Sequence, residues 1–523
     1  MEVVTLSDTY QDSVKLMRIA NEARESFGVE EAVAMMGTQE NKDILRNLGA
    51  SDGVLADLQP DDLILGVKDD DVGAAREAVE WMEAEVSGAA GGEAAEESTR
   101  SPPKSVYGAL ERHPDANLGL ISVPGEYATR EAWKALHEGL HVHIFSDNVG
   151  LEHERKLKSY GRDHDQLVMG PDSGTAIING VPLGFANEVD GGAIGVVSAA
   201  GSGLQEVTSL IDRAGAGISQ AIGTGGRDLD DEIGGIAMQQ GFEMLADDDA
   251  TEVIVLVSKP PDERTMDDIL QLVEDGDHPV VVEFVGSDPA PIEAVGGRPA
   301  SSLADAARQA ITALPDRDTS DVDFADGITA FTSPGTGEDI VDRRDHPGAG
   351  RRSLRGLYSG GTLCSEAATI LAEDVDVQSN VGVGTPIDDP LSPTGHAMID
   401  LGADEFTRGR PHPMIDSSIR DDQLRGALTD DEVLVVLLDV ILGYAAHEDP
   451  ATPVVDVMES VDPGEWPVVV ASVVGTRGDP QGWEDQVQTL ADAGVVVCES
   501  NADAVALARD VQATVADTGG GHR

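Results

Sequence analysis

Between Gly192 and Arg227 the chain reads GAIGVVSAAGSGLQEVTSLIDRAGAGISQAIGTGGR. An apolar strand, Ala193 to Val197, runs into the small-residue turn Ser198–Gly203, then an amphipathic helix, then a second glycine loop, Ile222–Arg227. A strand that ends in a Gly/Ser turn at a helix start must be followed by a crossover, so the segment commits the chain to α/β units. It also makes an anion site, because the first amides of a helix lack intrahelical acceptors and the helix dipole points the same way. A related turn recurs at Leu357-Tyr-Ser-Gly-Gly-Thr-Leu-Cys-Ser-Glu366. The sequence therefore predicts two phosphate- or carboxylate-sized sites, one built from Ser198, Gly201, Ser202, Gly203, Gly225 and Gly226, the other from Ser359, Gly360, Gly361 and Thr362. The competing reading of each turn is close helix–strand packing through glycine.

The rest of the chain repeats the same alternation. Strands are expected at Met1–Leu6, Ala32–Met36 and Asp62–Lys68, with helices over Asp12–Phe27 and Val72–Val86. From Asn117 onward, strands at Leu118–Val123, His141–Phe145 and Leu167–Met169 each end in a loop and lead to the next element. Further strands fall at Val253–Val257, Val280–Phe284, Met398–Leu401, Val433–Leu438, Val468–Val473 and Val495–Val497. Apolar strands alternating with helices imply parallel, doubly wound sheets. At 523 residues the chain exceeds one core. The expected organisation is an N-terminal α/β domain over 1–83, a Gly/Ala/Glu/Pro-rich linker over 84–104, a Rossmann-like domain over 105–190 and a flavodoxin-like domain over 191–315. A polar linker over 316–353 and a second flavodoxin-like domain over 354–515 complete it.

The formal net charge is −62. That repels nucleic acid and anionic membranes, and it opposes compaction unless salt screens it. Acidic residues are spread along the chain and lysine is scarce, which points to a halophilic source; an acidic protein matched to a basic partner is the alternative. Two cysteines, Cys364 and Cys498, are too few for a disulfide scaffold or a cysteine-based zinc site, and no metal-ligand spacing is visible. The longest apolar run, Val433–Ala446, contains Asp439 and Gly443 and is short of a membrane span. No signal peptide is visible, and the expected location is the cytoplasm.

Several side chains sit where strands end. His396 precedes the strand Met398–Leu401, and Asp400 lies near its C-terminal end, where ligands of α/β sheets gather. An imidazole there suits a general base or phosphoryl acceptor, or else a structural loop histidine. Arg408, Arg410 and His412 lie in TRGRPHPMID, with Pro411 and Pro413 holding the loop extended. Guanidinium and imidazole groups suit a carboxylate or phosphate, salt bridging to aspartates being the alternative. The catalytic candidates are His396, His412 and Arg410; Arg227, Lys259 and Arg408 are candidates for neutralising substrate charge.

Motifs along nearly the whole chain resemble the FdrA-type acyl-CoA synthetase-like proteins of the succinyl-CoA synthetase superfamily. They are Tyr10-Gln-Asp-Ser-Val14, Met36-Gly-Thr38, Phe145-Ser-Asp-Asn148, Val168-Met-Gly-Pro-Asp172, Ala221-Ile-Gly-Thr-Gly-Gly-Arg-Asp228, Val257-Ser-Lys-Pro-Pro261 and Gly409-Arg-Pro-His-Pro-Met-Ile-Asp416. Residues 117–315 are similar to that synthetase's α subunit. Residues 354–515 are similar to the C-terminal part of its β subunit, through Gly360-Gly361, Ile399-Asp400-Leu-Gly402, Leu438–Gly443 and Val473–Thr476. The resemblance implies that the helices after Gly203 and Gly361 face one phosphoryl group. Two departures stand out. The stretch Gly296-Gly-Arg-Pro-Ala-Ser-Ser302 has no histidine where the family carries its phosphohistidine, and no segment is long enough for an ATP-grasp half. Met36-Gly-Thr-Gln-Glu-Asn41 stands where the family has a multi-glycine CoA loop. The resemblance thus implies acyl transfer, or carbamoyl transfer onto oxamate in allantoin breakdown, the latter needing neither missing part. The expected ligands are CoA or carbamoyl phosphate; the expected partners are further subunits or copies of the chain. A non-catalytic scaffold subunit is the other class.

Overall fold

The computed structural model describes residues 2–6, 9, 13–29, 31–38, 41–42, 45–46, 50, 58–59, 62–69, 72–86, 103–315, 322–324, 331, 351–408, 410–462 and 466–519. Most of both expected linkers, together with Tyr10, Gln11, Asp12, Gln39, Glu40 and Gly409 of the quoted motifs, lies outside these residues. Two compact units are present, residues 1–104 and 105–523.

In the first unit, strands β1 (Glu2–Leu6), β2 (Glu31–Met36) and β3 (Leu63–Lys68) form an antiparallel sheet in the order β1-β3-β2. The helices Ser13–Phe27 and Val72–Val86 cover one face, burying Leu16, Ile19, Ala23, Ala78, Val79 and Met82 against Leu63, Leu65 and Val67. The expected strands and helices are here. Met36-Gly37-Thr38 therefore ends a strand of an antiparallel sheet rather than opening a Rossmann crossover, and it is not placed as a CoA loop.

The second unit holds three sheets. Strands β4 (Leu118–Ile121), β5 (His141–Ile144) and β6 (Val168–Met169) form a small parallel sheet. The hairpin β7 (Thr175–Ile178) and β8 (Val181–Gly184) does not extend it; it joins the next sheet by antiparallel pairing of β7 with β10. Its turn, Asn179-Gly180, has φ of 51° and 74°, the two positive values that a type I′ turn demands. The second sheet has the order β13-β12-β11-β9-β10-β7-β8, with β9 (Gly191–Ser198), β10 (Ile218–Gly223), β11 (Val253–Ser258), β12 (Val280–Phe284) and β13 (Arg298–Pro299). Counted from β9, its parallel part runs 2-1-3-4-5, the flavodoxin-like winding.

The third sheet is β16-β15-β17-β14-β18-β19-β20, with β14 (Ser353–Tyr358), β15 (Val377–Ser379), β16 (Thr385–Pro386), β17 (His396–Asp400), β18 (Val433–Ile441), β19 (Val468–Val474) and β20 (Val496–Cys498). Taking β14 as first and β17 as second gives the same winding, extended by two short strands. The apolar run considered above as a membrane span is β18, buried along all nine residues; no helix among the described residues is long and apolar enough to cross a membrane.

One core cluster runs through both seven-stranded sheets. The polar stretch expected as a linker is pinned at two points. Phe324 is 1% exposed beneath the Arg308 guanidinium, and Phe331 lies 5.6 Å from the Trp483 ring.

Candidate functional site

In both flavodoxin-like sheets the first strand feeds a helix at the point where the winding reverses, the place where ligands of such sheets bind. β9 runs through Ser198-Ala199-Ala200 into the helix Gly201–Arg213; β14 runs through Ser359-Gly360 into the helix Gly361–Ala372. The two helix starts meet. Thr362 N donates to Ser202 Oγ at 3.2 Å. A Cβ on Gly203 would lie 2.9 Å from Thr362 Cγ2, and one on Gly360 would lie 2.7 Å from Ser202 Cβ. Glycine is required at 203 and 360 because the Thr362 and Ser202 side chains of the facing helix start fill the space, not because the turn is strained.

The second cradle differs from the sequence expectation. Asp439, buried in mid-β18, places its carboxylate on the amides of Ser359 (2.7 and 3.0 Å) and Gly360 (2.6 Å). Arg420 secures this plug by donating to the Asp439 carbonyl at 2.9 Å. Ser359 and Gly360 are thus occupied by the protein's own anion, and the Thr362 amide by Ser202. The amides of Gly201, Ser202, Gly203 and Gly361 have no acceptor among the described residues. Ser198 is internal: its hydroxyl closes a turn with Ala200 and faces no ligand.

Around these amides stand groups from three strand ends. Asp400, at the end of β17, accepts the Gly402 amide on Oδ1 at 2.9 Å, and its backbone is clamped by Asn380 on both sides. Its Oδ2 lies against the start of the second helix, where a Cβ on Gly361 would come within 2.6 Å. Burial raises the Asp400 carboxyl to about 7; Lys259 and the Gly402 N–H oppose the rise, and Asp439 and Asp172 add to it. Lys259, exposed after β11, forms no ion pair within 4.0 Å among the described residues, and its charge acts on Asp400 and Cys364. His412 lies against Gly402, where a Cβ would be 2.5 Å from Nε2, and its ring is 5.7 Å from that of Phe185. Burial lowers it to about 4, so it is neutral at pH 7. Its Nδ1 accepts the Met414 amide at 3.2 Å, which puts the ring proton on Nε2. His412 is therefore a hydrogen-bond donor in this arrangement, not a phosphoryl acceptor.

Asp172, with φ of 56° after the cis Gly170–Pro171 bond, is exposed although protein surrounds it, and lies near enough to Asp400 for its charge to act on that carboxyl. Burial, then Asp147 and Asp404, raise it to about 6.

Other candidates sit elsewhere. His396 begins β17, at the opposite edge of the sheet from Asp400, and its Nδ1 accepts the Leu354 amide at 3.3 Å. Four residues of strand, roughly 13 Å, separate the two, so His396 is not in the cleft. Arg227 is tied to Glu154 (2.7 Å) and the Val149 carbonyl (2.8 Å). Glu154 also holds Lys158, which is fully buried and completes its shell with Asp228 and the Thr224 carbonyl. Burial would lower the Lys158 ammonium, but Asp228 and Glu154 outweigh it and raise it. Arg227 is thus half of a structural ion network rather than free for substrate. Gly225 is held against Pro171, where a Cβ would strike the carbonyl oxygen at 2.2 Å; Gly226 alone of this loop faces Asp172. Arg408 and Arg410 are exposed and unpaired among the described residues.

The loops ending β4, β5 and β6 carry Glu126, Asp147 and Asp172 and no lysine or arginine across 122–127, 145–150 and 170–174. They offer a diphosphate no side-chain cation, only the backbone amides at the starts of the helices Gly125–His137 and Leu151–Asp163. Among the described residues there is no cluster of three metal-ligating groups.

These features are those of the CoA-ligase superfamily's domains, and the CoA-ligase family model matches residues 357–511. The chain belongs to the family of YahF of Escherichia coli (strain K12), with which it shares 36% identity over 518 residues, 98% of each chain. The α subunit of the ADP-forming succinate–CoA ligase of Methanothermobacter thermautotrophicus is 26% identical over 148 residues, covering 28% of this chain and 49% of that subunit. The ATP citrate lyase of Methanothrix soehngenii, solved with citrate and coenzyme A, superposes with a TM-score of 0.37 at 18% identity, over 42% of this chain and 43% of that one. A model described as the AllF heavy metal-associated domain matches residues 1–102. Those residues contain neither cysteine nor histidine. The thiolate and imidazole donors that heavy metals prefer are missing, so this domain does not fit a heavy metal.

Proposed function

We propose that the chain transfers an acyl or carbamoyl group from an acyl-phosphate-like species held at the two helix starts, as an FdrA-type subunit carbamoylating oxamate in allantoin breakdown. The observation that carries this reading is the meeting of Ser202 with Thr362 beside Lys259 and a neutral His412. The free amides of Gly201–Gly203 and Gly361 suit the phosphate; Lys259 adds charge, and Nε2–H of His412 suits a developing oxyanion. An activated phosphate donor arrives with its energy already invested. The absence of histidine from Gly296–Ser302 and the acidic loops of the small sheet favour such a donor over a phosphohistidine cycle with CoA. CoA-ligase-type activity with a separate ATP-grasp partner is the second reading, favoured by the match over residues 357–511. Cytoplasmic location, a halophilic source and assembly with further subunits or copies belong to the same proposal.

The test is phosphate release from carbamoyl phosphate by the full chain at molar KCl, with and without oxamate, against CoA plus acyl phosphates. Oxamate-dependent release is expected. Release that depends only on CoA supports the ligase reading, and no release with any donor supports a scaffold.

A further inference from the structure

Asp400 has a geometry that none of the roles above uses. One carboxylate oxygen is fixed by the Gly402 amide, and the backbone on both sides is fixed by Asn380. The other oxygen, Oδ2, has no hydrogen-bond partner among the described residues and rests against Gly361, beside the free amides of the second helix. A carboxyl held by one oxygen and open at the other can take a proton without moving. The groups facing it come from every neighbouring element: Lys259 from the end of β11, Asp439 from β18, Asp172 from the β6–β7 loop and Cys364 from the Gly361 helix. His412 reaches the same Gly402 but carries its proton on Nε2, which leaves it a donor. Cys364 is fully buried, with its thiol pushed well up, and cannot serve as a base.

We propose that Asp400 Oδ2 is the general base that takes the proton from the acceptor nucleophile during transfer at this cleft. The proposal rests on the transfer reading above and adds to it the residue that activates the acceptor. As the acceptor N–H attacks the carbonyl carbon, its proton passes to Asp400 Oδ2 and the new N–C bond forms. The C–O bond to phosphate breaks, phosphate departs with that electron pair, and the proton on Asp400 then passes to the departing phosphate through solvent. No oxidant or further reactant is needed. A carboxyl lifted to about 7 by burial is matched to this task near neutral pH.

Asp400→Asn keeps an oxygen for the Gly402 amide and removes the base. In the full chain, oxamate-dependent phosphate release from carbamoyl phosphate should fall by about 10²- to 10³-fold, with carbamoyl phosphate affinity within threefold of wild type. Hydroxylamine, whose nitrogen lone pair attacks without prior deprotonation and gives up its proton to solvent afterwards, should still drive release by the variant. The acidic limb of the wild-type pH–rate profile should vanish with the substitution. Infrared difference spectra between pH 5 and 9 should show, in wild type minus variant, a carboxyl band titrating near pH 7 over and above those of Glu206, Asp172 and Glu283, which both proteins share, whether or not turnover occurs. Wild-type activity with an equally active variant overturns the base alone, as does absence of the titrating band. A wild-type chain that releases no phosphate from any donor overturns the transfer reading and the base with it.

Discussion

Asp439 is where the architecture can be tested most directly. Its carboxylate replaces an external anion at the start of the Gly361 helix, receiving two amides through three contacts of 2.6 to 3.0 Å. Hydrogen bonds to a charged acceptor contribute roughly 1.5–3 kcal/mol each, so the two donors together account for about 3–6 kcal/mol. Burial raises the Asp439 carboxyl and opposes that gain; relief of this burial cost in an alanine variant should bring the net loss to about 2–4 kcal/mol. Asp439→Ala also leaves two amides aimed into a hole of carboxylate size, next to a helix dipole. Inorganic phosphate should enter it. A ligand at a hundred times its Kd restores about 2.7 kcal/mol, enough to recover most of the loss. Urea unfolding at molar KCl, with phosphate and with equal ionic strength of chloride, reads both effects. A variant as stable as wild type, or one equally destabilised in phosphate and chloride, would refute the plug.

Glu283, 3% exposed at the end of β12 and raised to about 9 by burial, then by Glu366 and Asp305, holds its proton in the folded state. Since the folded pKa lies above the ordinary 4.5, its contribution is fully present below pH 4.5 and is lost as pH rises toward 9. Stability should therefore fall between pH 7 and 9, and Glu283→Gln should flatten that slope in chemical denaturation. Gly203→Ala should cost about 1–3 kcal/mol by forcing the two helix starts apart, whereas Gly426→Ala, with open space around it in the helix Ser418–Thr429, should gain about 0.5–1 kcal/mol. With a net charge of −62, the melting temperature should rise steeply with KCl as screening relieves self-repulsion; an equal or higher value in dilute buffer would refute this.

The alternation of buried strands with helices is legible because the long central parallel strands, such as β9, β11, β18 and β19, are apolar on both faces, and the helix starts are legible because glycine is needed where the two helix starts pack together. The hairpin β7–β8 has a plain local signal, Asn179-Gly180 between two apolar runs, but its pairing with β10 rather than with β6 has none. Strands β15 and β16 gave no such signal, being three and two residues long and half polar. The site was legible in its glycines, His412 and Lys259, because each sits at a strand end or a proline-held loop. It was illegible wherever a role depends on a distant partner. The helix Leu151–Asp163 reads as charged and solvated, yet Glu154 and Lys158 are fully buried, because Asp228 and Arg227, some seventy residues on, complete their shells.

Asp439 carries the same lesson into the function. In sequence it is a single acidic residue inside an apolar run, evidence only against a membrane span. Folded, it faces across the sheet to Ser359, eighty residues earlier, and removes two of the amides that the glycine turn offers. What remains open among the described residues is three amides on the Gly201 helix and two, those of Gly361 and Leu363, on the Gly361 helix, with Asp400 on the side of the second. A symmetric cradle would hold a phosphoryl group equally between two helices. In the proposed transfer the phosphate sits on the amides of the Gly201 helix, and Asp400, on the side of the Gly361 helix, faces the proton-bearing acceptor.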